Sequence, residues 1–310
     1  MEYRTFRNFD PPLLADVWNT SMTGRGAASL NSSMLLERHV LCKPYFDPNG
    51  LFLAMDGEQC VGYAHAGGCQ SEDGTEIHGV VCAVMVRPSH RRQGIGTQLL
   101  YRCEEYLLER GAQKLFGGGH GQLNPYYAGV YGGSECSGFL KSDSAAEPFL
   151  KRHRYQIHDT IVVLQRKLGI ALKCVDNRFG PLRNRFNILM GSPRSLGWWE
   201  ECMIGSLEPI EYVVEDREKG VFAGRALFWE MDAFSQKWGK PAIGILRFEI
   251  QEAYRKQGLG KLLLAHLIRQ AQEQFHEIAE IHISEKNLVA LSLLRVLNFE
   301  TVDRGQVFVK

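Results

Sequence analysis

The chain has 310 residues, enough for one large or two medium domains, and 45% hydrophobic with 23% charged residues excludes a disordered or fibrous protein. A formal net charge of +1 supplies no global attraction to polyanions, so neither nucleic acid nor a membrane surface is expected as a partner. The cysteines Cys42, Cys60, Cys69, Cys82, Cys103, Cys136, Cys174 and Cys202 never show the two-residue gap of a metal or redox motif. Reduced thiols, no metal centre and a cytoplasmic location are therefore expected, and Met1–Arg7 carries no apolar signal core.

In chain order, Tyr3–Phe6 reads as a short strand. Asp10 before Pro11 and Pro12 predicts a helix start capped by Asp10, with Leu13, Leu14, Val17 and Trp18 as its apolar face. Thr20–Ser29 reads as a small-residue loop, and Ser33–Cys42 as a second helix ended by Pro44. Leu51–Met55 and Gln59–Ala66 flank Asp56-Gly57, a hairpin signal, and Gly67–Gly74 reads as another turn. Glu76–Val86 is a long strand whose late residues are apolar, as in the middle of a sheet. Gly94–Glu109 follows as a helix stopped by Gly111, then Lys114–Phe116 as a short strand. Residues 117–141 are rich in glycine and tyrosine and read as a long loop, not a core element. Ser142–His153 resumes as a helix and Gln156–Leu164 as a closing strand.

Lys167–Pro193 reads as linker plus the first strand of a second unit, near Phe186–Met190. Leu196–Ile204 is a helix, and Ile210–Val214 and Phe222–Trp229 are strands joined by the charged turn Glu215–Gly220. Phe234–Lys240 reads as a loop, Ile243–Ile250 as a second long strand and Gly258–Gln274 as its helix. Glu277–Ile283, Asn287–Leu297 and Gln306–Val309 close the chain as strand, helix and strand. Trp198, Trp199, Trp229 and Trp238 are expected in core or domain packing.

The order strand, basic glycine loop, helix therefore occurs twice. The loops are Arg91-Arg92-Gln93-Gly94-Ile95-Gly96-Thr97 and Arg255-Lys256-Gln257-Gly258-Leu259-Gly260-Lys261, offset by 258 − 94 = 164 residues. Two domains are expected, 1–168 and 169–310, with 117–141 as an insertion in the first. Amides at a helix start are unpaired donors, and the dipole there favours anions. Glycines let a diphosphate approach the main chain, and arginines neutralise it. No Lys-Ser/Thr pair follows the glycines, which excludes a Walker loop. The third glycine of a dinucleotide fingerprint would fall on Leu99 and Leu263.

On these residues the chain resembles the Gcn5-related N-acetyltransferase (GNAT) superfamily in tandem form. The family's acyl-CoA motif Arg/Gln-x-x-Gly-x-Gly/Ala matches Arg91, Gly94 and Gly96, and again Arg255, Gly258 and Gly260. Its later helix motif falls on Asn287, Ala290, Leu293, Leu294, Asn298 and Phe299, and in the first half on Asp143, Ala146, Phe149, Leu150, Arg154 and Tyr155. The resemblance implies an α/β (α+β by some schemes) architecture of two acyl-CoA N-acyltransferase folds, each a mixed, splayed β-sheet flanked by helices. It implies acetyl-CoA or another acyl-CoA as cosubstrate. In the first domain the binding residues would be Val84, Val86 and Arg91, Arg92, Gln93, Gly94, Ile95, Gly96 and Thr97. In the second they would be Arg255, Gln257, Gly258, Gly260, Lys261 and Asn287. The acceptor would be a small-molecule or peptide primary amine attacking the thioester directly, in a monomer or homodimer.

Two family features are missing. The helix tyrosine that many members use as acid is Leu150 in one half and Leu294 in the other, and the fourth-strand glutamate position falls near Cys82 and Leu246. Proton transfer would then fall to other residues or to water, unless one domain is inert; His120, Tyr126 and Glu135 of the 117–141 stretch are the candidates, beside Tyr127 and Tyr131. The first domain is favoured as catalytic because it carries this loop. The missing tyrosine keeps open an alternative, a non-catalytic acyl-CoA sensor with degenerate domains.

Overall fold

The computed structural model describes residues 1–71, 74–172, 174–193 and 196–310. Two compact units form, Met1–Ile161 with Asp303–Lys310, and Val162–Val302. Among the described residues no helix is long and apolar enough to cross a membrane.

The first unit runs β1 (Glu2–Thr5), α1 (Pro11–Ser21), α2 (Met34–Leu36) continuing into a π-helical turn at Glu37–Leu41, β2 (Leu51–Asp56), β3 (Gln59–Gln70), β4 (Ile77–Val86), α3 (Ile95–Glu109), β5 (Lys114–Gly117), β6 (Phe139–Leu140), α4 (Ala146–Arg152) and the start of β7 (Gln156–Lys167). β1 to β4 pair antiparallel in sequence order and β4 pairs β5 in parallel, giving a mixed sheet. The Asp56-Gly57 turn forms as expected, with Gly57 at φ +59. β3 outruns its expected end at Ala66 because Gly67 and Gly68 keep their ladder with Val80 and Gly79. The tip of the expected Gly67–Gly74 turn, residues 72 and 73, lies outside the described residues. One apolar stripe of α3, Leu99, Leu100, Cys103 and Leu107, packs on Val61, Ala64 and Val81 of the sheet.

Asp10 stands at the N-cap position of α1, as expected, with its carbonyl accepting Leu14 N at 3.1 Å, but its side chain makes no capping bond. Fully buried, it accepts Arg4 Nη1 and Nη2 at 2.6 and 2.8 Å and the Arg7 amide at 2.7 Å. Removing one partner of such a pair strands the other's charge. Asp10→Ala should therefore lower unfolding free energy by about 3 kcal/mol, read from urea denaturation midpoints.

The 117–141 stretch is core, not surface loop. Tyr126, Tyr127 and Tyr131 are 3%, 3% and 8% exposed. Trp18 of α1 stacks on Tyr127 with centroids 5.9 Å apart and meets Tyr131 edge-on at 6.4 Å. The small residues after α1 allow backbone contact: Gly132 N donates to Gly26 O at 2.7 Å and Ala28 N to Val130 O at 2.8 Å. Composition alone reads such a segment as loop; the tyrosines are what bury it.

The second unit takes the end of β7, then α5 (Phe179–Arg185), β8 (Phe186–Gly191), α6 (Trp198–Ile204), β9 (Ile210–Asp216), β10 (Val221–Glu230), α7 (Asp232–Trp238), β11 (Ala242–Ile250), α8 (Leu259–Glu273), β12 (Ile278–Ser284), α9 (Leu288–Val296) and the start of β13 (Glu300–Val309). β8 to β11 pair antiparallel and β11 pairs β12 in parallel, the same scheme as in the first unit. The expected loop Phe234–Lys240 is instead α7, anchored by fully buried Phe234 and stopped by Gly239 at φ +66. Trp198 is 64% exposed, against the expectation of core packing, whereas Trp229 is buried.

The closing strands come from unexpected places in the sequence. The end of β13 pairs antiparallel with β5, Phe308 with Gly117 and Val309 with Phe116, and so belongs to the first unit. The end of β7 lies beside β12, where Gln165 donates to Glu280 at 2.6 Å and Leu168 N to Glu277 O at 2.8 Å.

Candidate functional site

In each unit the two parallel strands part company. β4 pairs β5 only from His78 to Val81, although β4 continues to Val86. Its other side stays paired with β3, with a bulge at Cys82 between the His65–Ala83 and Ala66–Val81 pairs. Val84 and Val86 thus lie beyond the split, on a stretch not paired with β5. β11 repeats this: its pairing with β12 stops at Ile245, and Arg247 sits in the bulge at φ +43.

Beyond each long strand the backbone follows one path. A 3-10 turn at Pro88–His90 leads to Arg92 at φ +65 and Gly94 at φ +81, then α3; a turn at Glu252–Tyr254 leads to Lys256 at φ +60 and Gly258 at φ +93, then α8. Arg92 and Lys256 are held left-handed at a cost of roughly 1–2 kcal/mol each. Arg91 Nε donates to Val86 O at 3.0 Å and Arg255 Nε to Ile250 O at 2.9 Å, so each guanidinium is tied to the end of its strand.

A cleft of about 590 Å3 opens beside the first loop, a volume suited to a small-molecule ligand. One wall is Val84, Val86, Arg91, Arg92, Gly94, Ile95, Gly96 and Thr97; the other includes Phe139, Asp143, Phe149 and His153. Gln93 is exposed in the same loop. A Cβ built on Gly94 would meet nothing within 4 Å, and one on Gly96 would sit 3.4 Å from Phe149. Burial raises the Asp143 carboxyl above its ordinary value, against the pull of the Arg91 charge. His153 contacts Thr97 Oγ1 at 3.2 Å, and burial lowers its imidazole. Phe139 and His153 were not foreseen: Phe139 lies outside the motifs, and His153 at a variable position of the later helix motif.

The second loop is furnished differently. Gln257 donates to Ala253 O at 3.0 Å, and Lys261 Nζ lies 3.3 Å from Asp176. A Cβ on Gly258 would lie 3.1 Å from the Arg178 guanidinium carbon, and one on Gly260 3.2 Å from Phe248 Cζ. Asn287 caps α9, its Oδ1 accepting Ala290 N at 3.1 Å.

None of the three proton-transfer candidates lines the first cleft. Tyr126 is buried, with its hydroxyl donating to Tyr45 O at 3.1 Å, and burial raises its phenol strongly. Glu135 is half-buried. His120 is half-buried, with Nδ1 3.0 Å from Cys136 O. A nitrogen facing a carbonyl must carry the proton, which leaves Nε2 as the basic atom of the neutral ring. Leu150 and Leu294, at the family's tyrosine position, are each 1% exposed.

His65 on β3, fully buried, contacts Tyr127 Oη at 3.2 Å through Nδ1, and its ring lies 4.2 Å from that of Tyr126. Burial pushes its imidazole down to about 3 from 6.5. Between those values the unfolded chain binds more protons than the folded one. Stability is therefore whole above pH 6.5 and lost as pH falls toward 3. At pH 5 this amounts to roughly 2 kcal/mol. His65→Gln should flatten the slope of chemical-denaturation stability against pH across this window. Buried His39, lowered to about 4, contributes in the same direction and remains in the variant.

Each unit thus carries a mixed set of strands whose parallel pair parts beside an anion-ready helix start, one scaffold built twice. The family model described as the acetyltransferase (GNAT) family matches residues 23–128 and 184–299. The chain belongs to that family, as a tandem two-domain member. No curated protein sequence matches it significantly. Among solved structures it is similar to a GCN5-related glucosamine N-acetyltransferase region in a fungal multi-domain GH3 beta-N-acetylglucosaminidase (TM-score 0.74, 14% identity), covering 100% of this chain but only 38% of that one. It is also similar to a tandem GNAT protein from the clavulanic acid biosynthesis pathway (TM-score 0.67, 14% identity), with 100% and 98% covered. A GCN5-related N-acetyltransferase from Sphaerobacter thermophilus matches at TM-score 0.65 and 15% identity, with 100% and 95% covered. Identities this low speak for the fold alone.

Proposed function

We propose that the chain is an acyl-CoA-dependent N-acyltransferase, with acetyl-CoA as donor and a primary amine as acceptor, working in its first unit. The observation that carries this reading is the coincidence, in one cleft, of the end of β4 not paired with β5 and an open glycine loop. The amides of Gln93 to Thr97 and the guanidinium groups of Arg91 and Arg92 would hold the diphosphate. The backbone of Val84 and Val86 would receive the pantetheine arm as an added strand. Bound there, acyl-CoA supplies an acyl group activated as a thioester.

The protein's part is to orient the acceptor and take its proton. None of the three candidates lines the cleft; of them His120 keeps Nε2 as a basic atom, whereas Tyr126 already donates its hydroxyl to Tyr45. The position of the helix tyrosine is Leu150, which cannot donate a proton; a thiolate leaves well enough without an acid there. The buried Leu150 favours a second reading, a sensor that binds acyl-CoA without turnover.

Thiol release from acetyl-CoA across a panel of amines, including glucosamine and basic peptides, separates the two. Amine-dependent release that disappears in Arg91→Ala supports the enzyme. Tight coenzyme A binding with no amine-dependent release supports the sensor.

A further inference from the structure

We propose that the second glycine loop is held shut by the chain's own side chains, with Asp176 as its resident anion, so that the protein takes one coenzyme A per chain. This rests on the coenzyme A reading of the first loop. The backbones give no reason for a difference. Both loops put a left-handed glycine before a helix, and both tie an arginine to the strand end. The difference lies in what covers the glycines.

Over Gly94 there is open space, whereas over Gly258 lies the guanidinium of Arg178. That guanidinium is fixed: Nε and Nη2 donate to the two Asp176 oxygens at 2.8 and 2.7 Å, and the Arg178 amide donates to Asp176 at 3.2 Å. The Asp176 side chain is 7% exposed, and Lys261, which stands where the first loop has Thr97, lies 3.3 Å from it. Arg178, foremost, holds the Asp176 carboxyl well below the usual carboxylate range, so it stays negative at any working pH. The loop's lysine thus already faces a carboxylate, and an incoming diphosphate would meet that negative charge.

The strand side is closed as well. At the 164-residue offset Val84 corresponds to Phe248, and the tip of that ring stands against Gly260. In the first unit the same level of the strand faces the cleft. A ring here, in place of the smaller Val84 side chain, takes up room that an added extended arm would need. Asn287 is likewise engaged, as the cap of α9.

Calorimetric titration of the full chain with coenzyme A tests the proposal. One equivalent should bind. Arg91→Ala/Arg92→Ala should weaken that binding at least tenfold and uncover no second site. Two equivalents in the parent chain would overturn the proposal. So would a single equivalent that survives Arg91→Ala/Arg92→Ala and is weakened by Lys261→Ala. Absence of any binding would instead remove the coenzyme A reading itself, and this inference with it. The substituted residues are exposed or half-buried, so loss of fold does not confuse the outcomes.

Discussion

Gly94→Val should reduce coenzyme A affinity roughly hundredfold and bring amine-dependent thiol release below detection, with only a modest loss of stability. Nothing lies within 4 Å of the position a Cβ would take at Gly94, so collision with neighbours is not the cause. The cause is the backbone: Gly94 holds φ at +81, a region that a β-branched residue enters only at a cost of about 1–2 kcal/mol or more. Either the loop stays strained, or it relaxes to negative φ and turns the amides of the helix start away from the cleft. A hydrogen bond to a charged group contributes about 1.5–3 kcal/mol, so losing one or two accounts for a factor on the order of a hundred. The melting temperature should fall by about 2–4 °C per kcal/mol of strain for a unit of this size. Gly258→Val places the same backbone strain at φ +93 in the second loop and adds a close contact with the flexible Arg178 side chain. It should lower the melting temperature similarly and leave coenzyme A affinity unchanged. Calorimetry and thermal denaturation read both; a Gly94→Val chain with parental affinity would refute the placement of the diphosphate.

What could be read from sequence was what local chemistry dictates. The two glycine loops, their strands and their helices stand where period and glycine spacing put them. Left-handed glycines and apolar stripes are local properties, and a repeat at constant offset doubles their weight. Misreadings came where a distant partner decides. Asp10 carries the signature of a cap, but Arg4 lies across the turn and captures its side chain. The glycine–tyrosine stretch has loop composition, yet Trp18 and the small residues after α1 give its rings a place to bury. Gly67 and Gly68 punctuate a sequence, but an opposite strand long enough to pair with them overrides the signal. Nothing in the order of the chain announces that its last strand closes the first unit. Nor does a motif announce Asp176 and Arg178 over the second loop, because their meaning depends on Gly258 and Lys261 far along the chain. Sequence finds anion-ready backbone; whether the space above it is open depends on side chains that the motif does not contain.

Gly305→Ala should be among the most destabilising single substitutions in the first unit, at about 3 kcal/mol or more. A Cβ there would fall 1.8 Å from Ser137 O and 2.5 Å from Ser137 Cβ. Opposite it, Gly138 at φ +69 would place a Cβ 2.0 Å from Gln306 O, and Gly118 at φ +72 would place one 2.7 Å from Gly138 Cα. Three bare backbones are therefore stacked where β13 crosses the end of the glycine–tyrosine stretch, and no rotamer change relieves a clash with main chain. The added methyl must push β13 away from β6, breaking the register of Gly305 with Leu140 and Gln306 with Phe139. Overpacking of this kind costs about 1–3 kcal/mol even where side chains can yield, and here they cannot. Against a typical total stability of about 5–15 kcal/mol that is a large share. The melting temperature should fall by roughly 6–12 °C. Gly24→Ala, where a Cβ meets nothing within 4 Å and φ is ordinary, should change stability by under about 0.5 kcal/mol. Phe139 lines the cleft, so Gly305→Ala should also lose coenzyme A affinity at temperatures where the fold persists, and limited proteolysis should now cut within 117–141. A Gly305→Ala chain that melts with the parent and resists protease there would mean that β13 is not what closes the first unit.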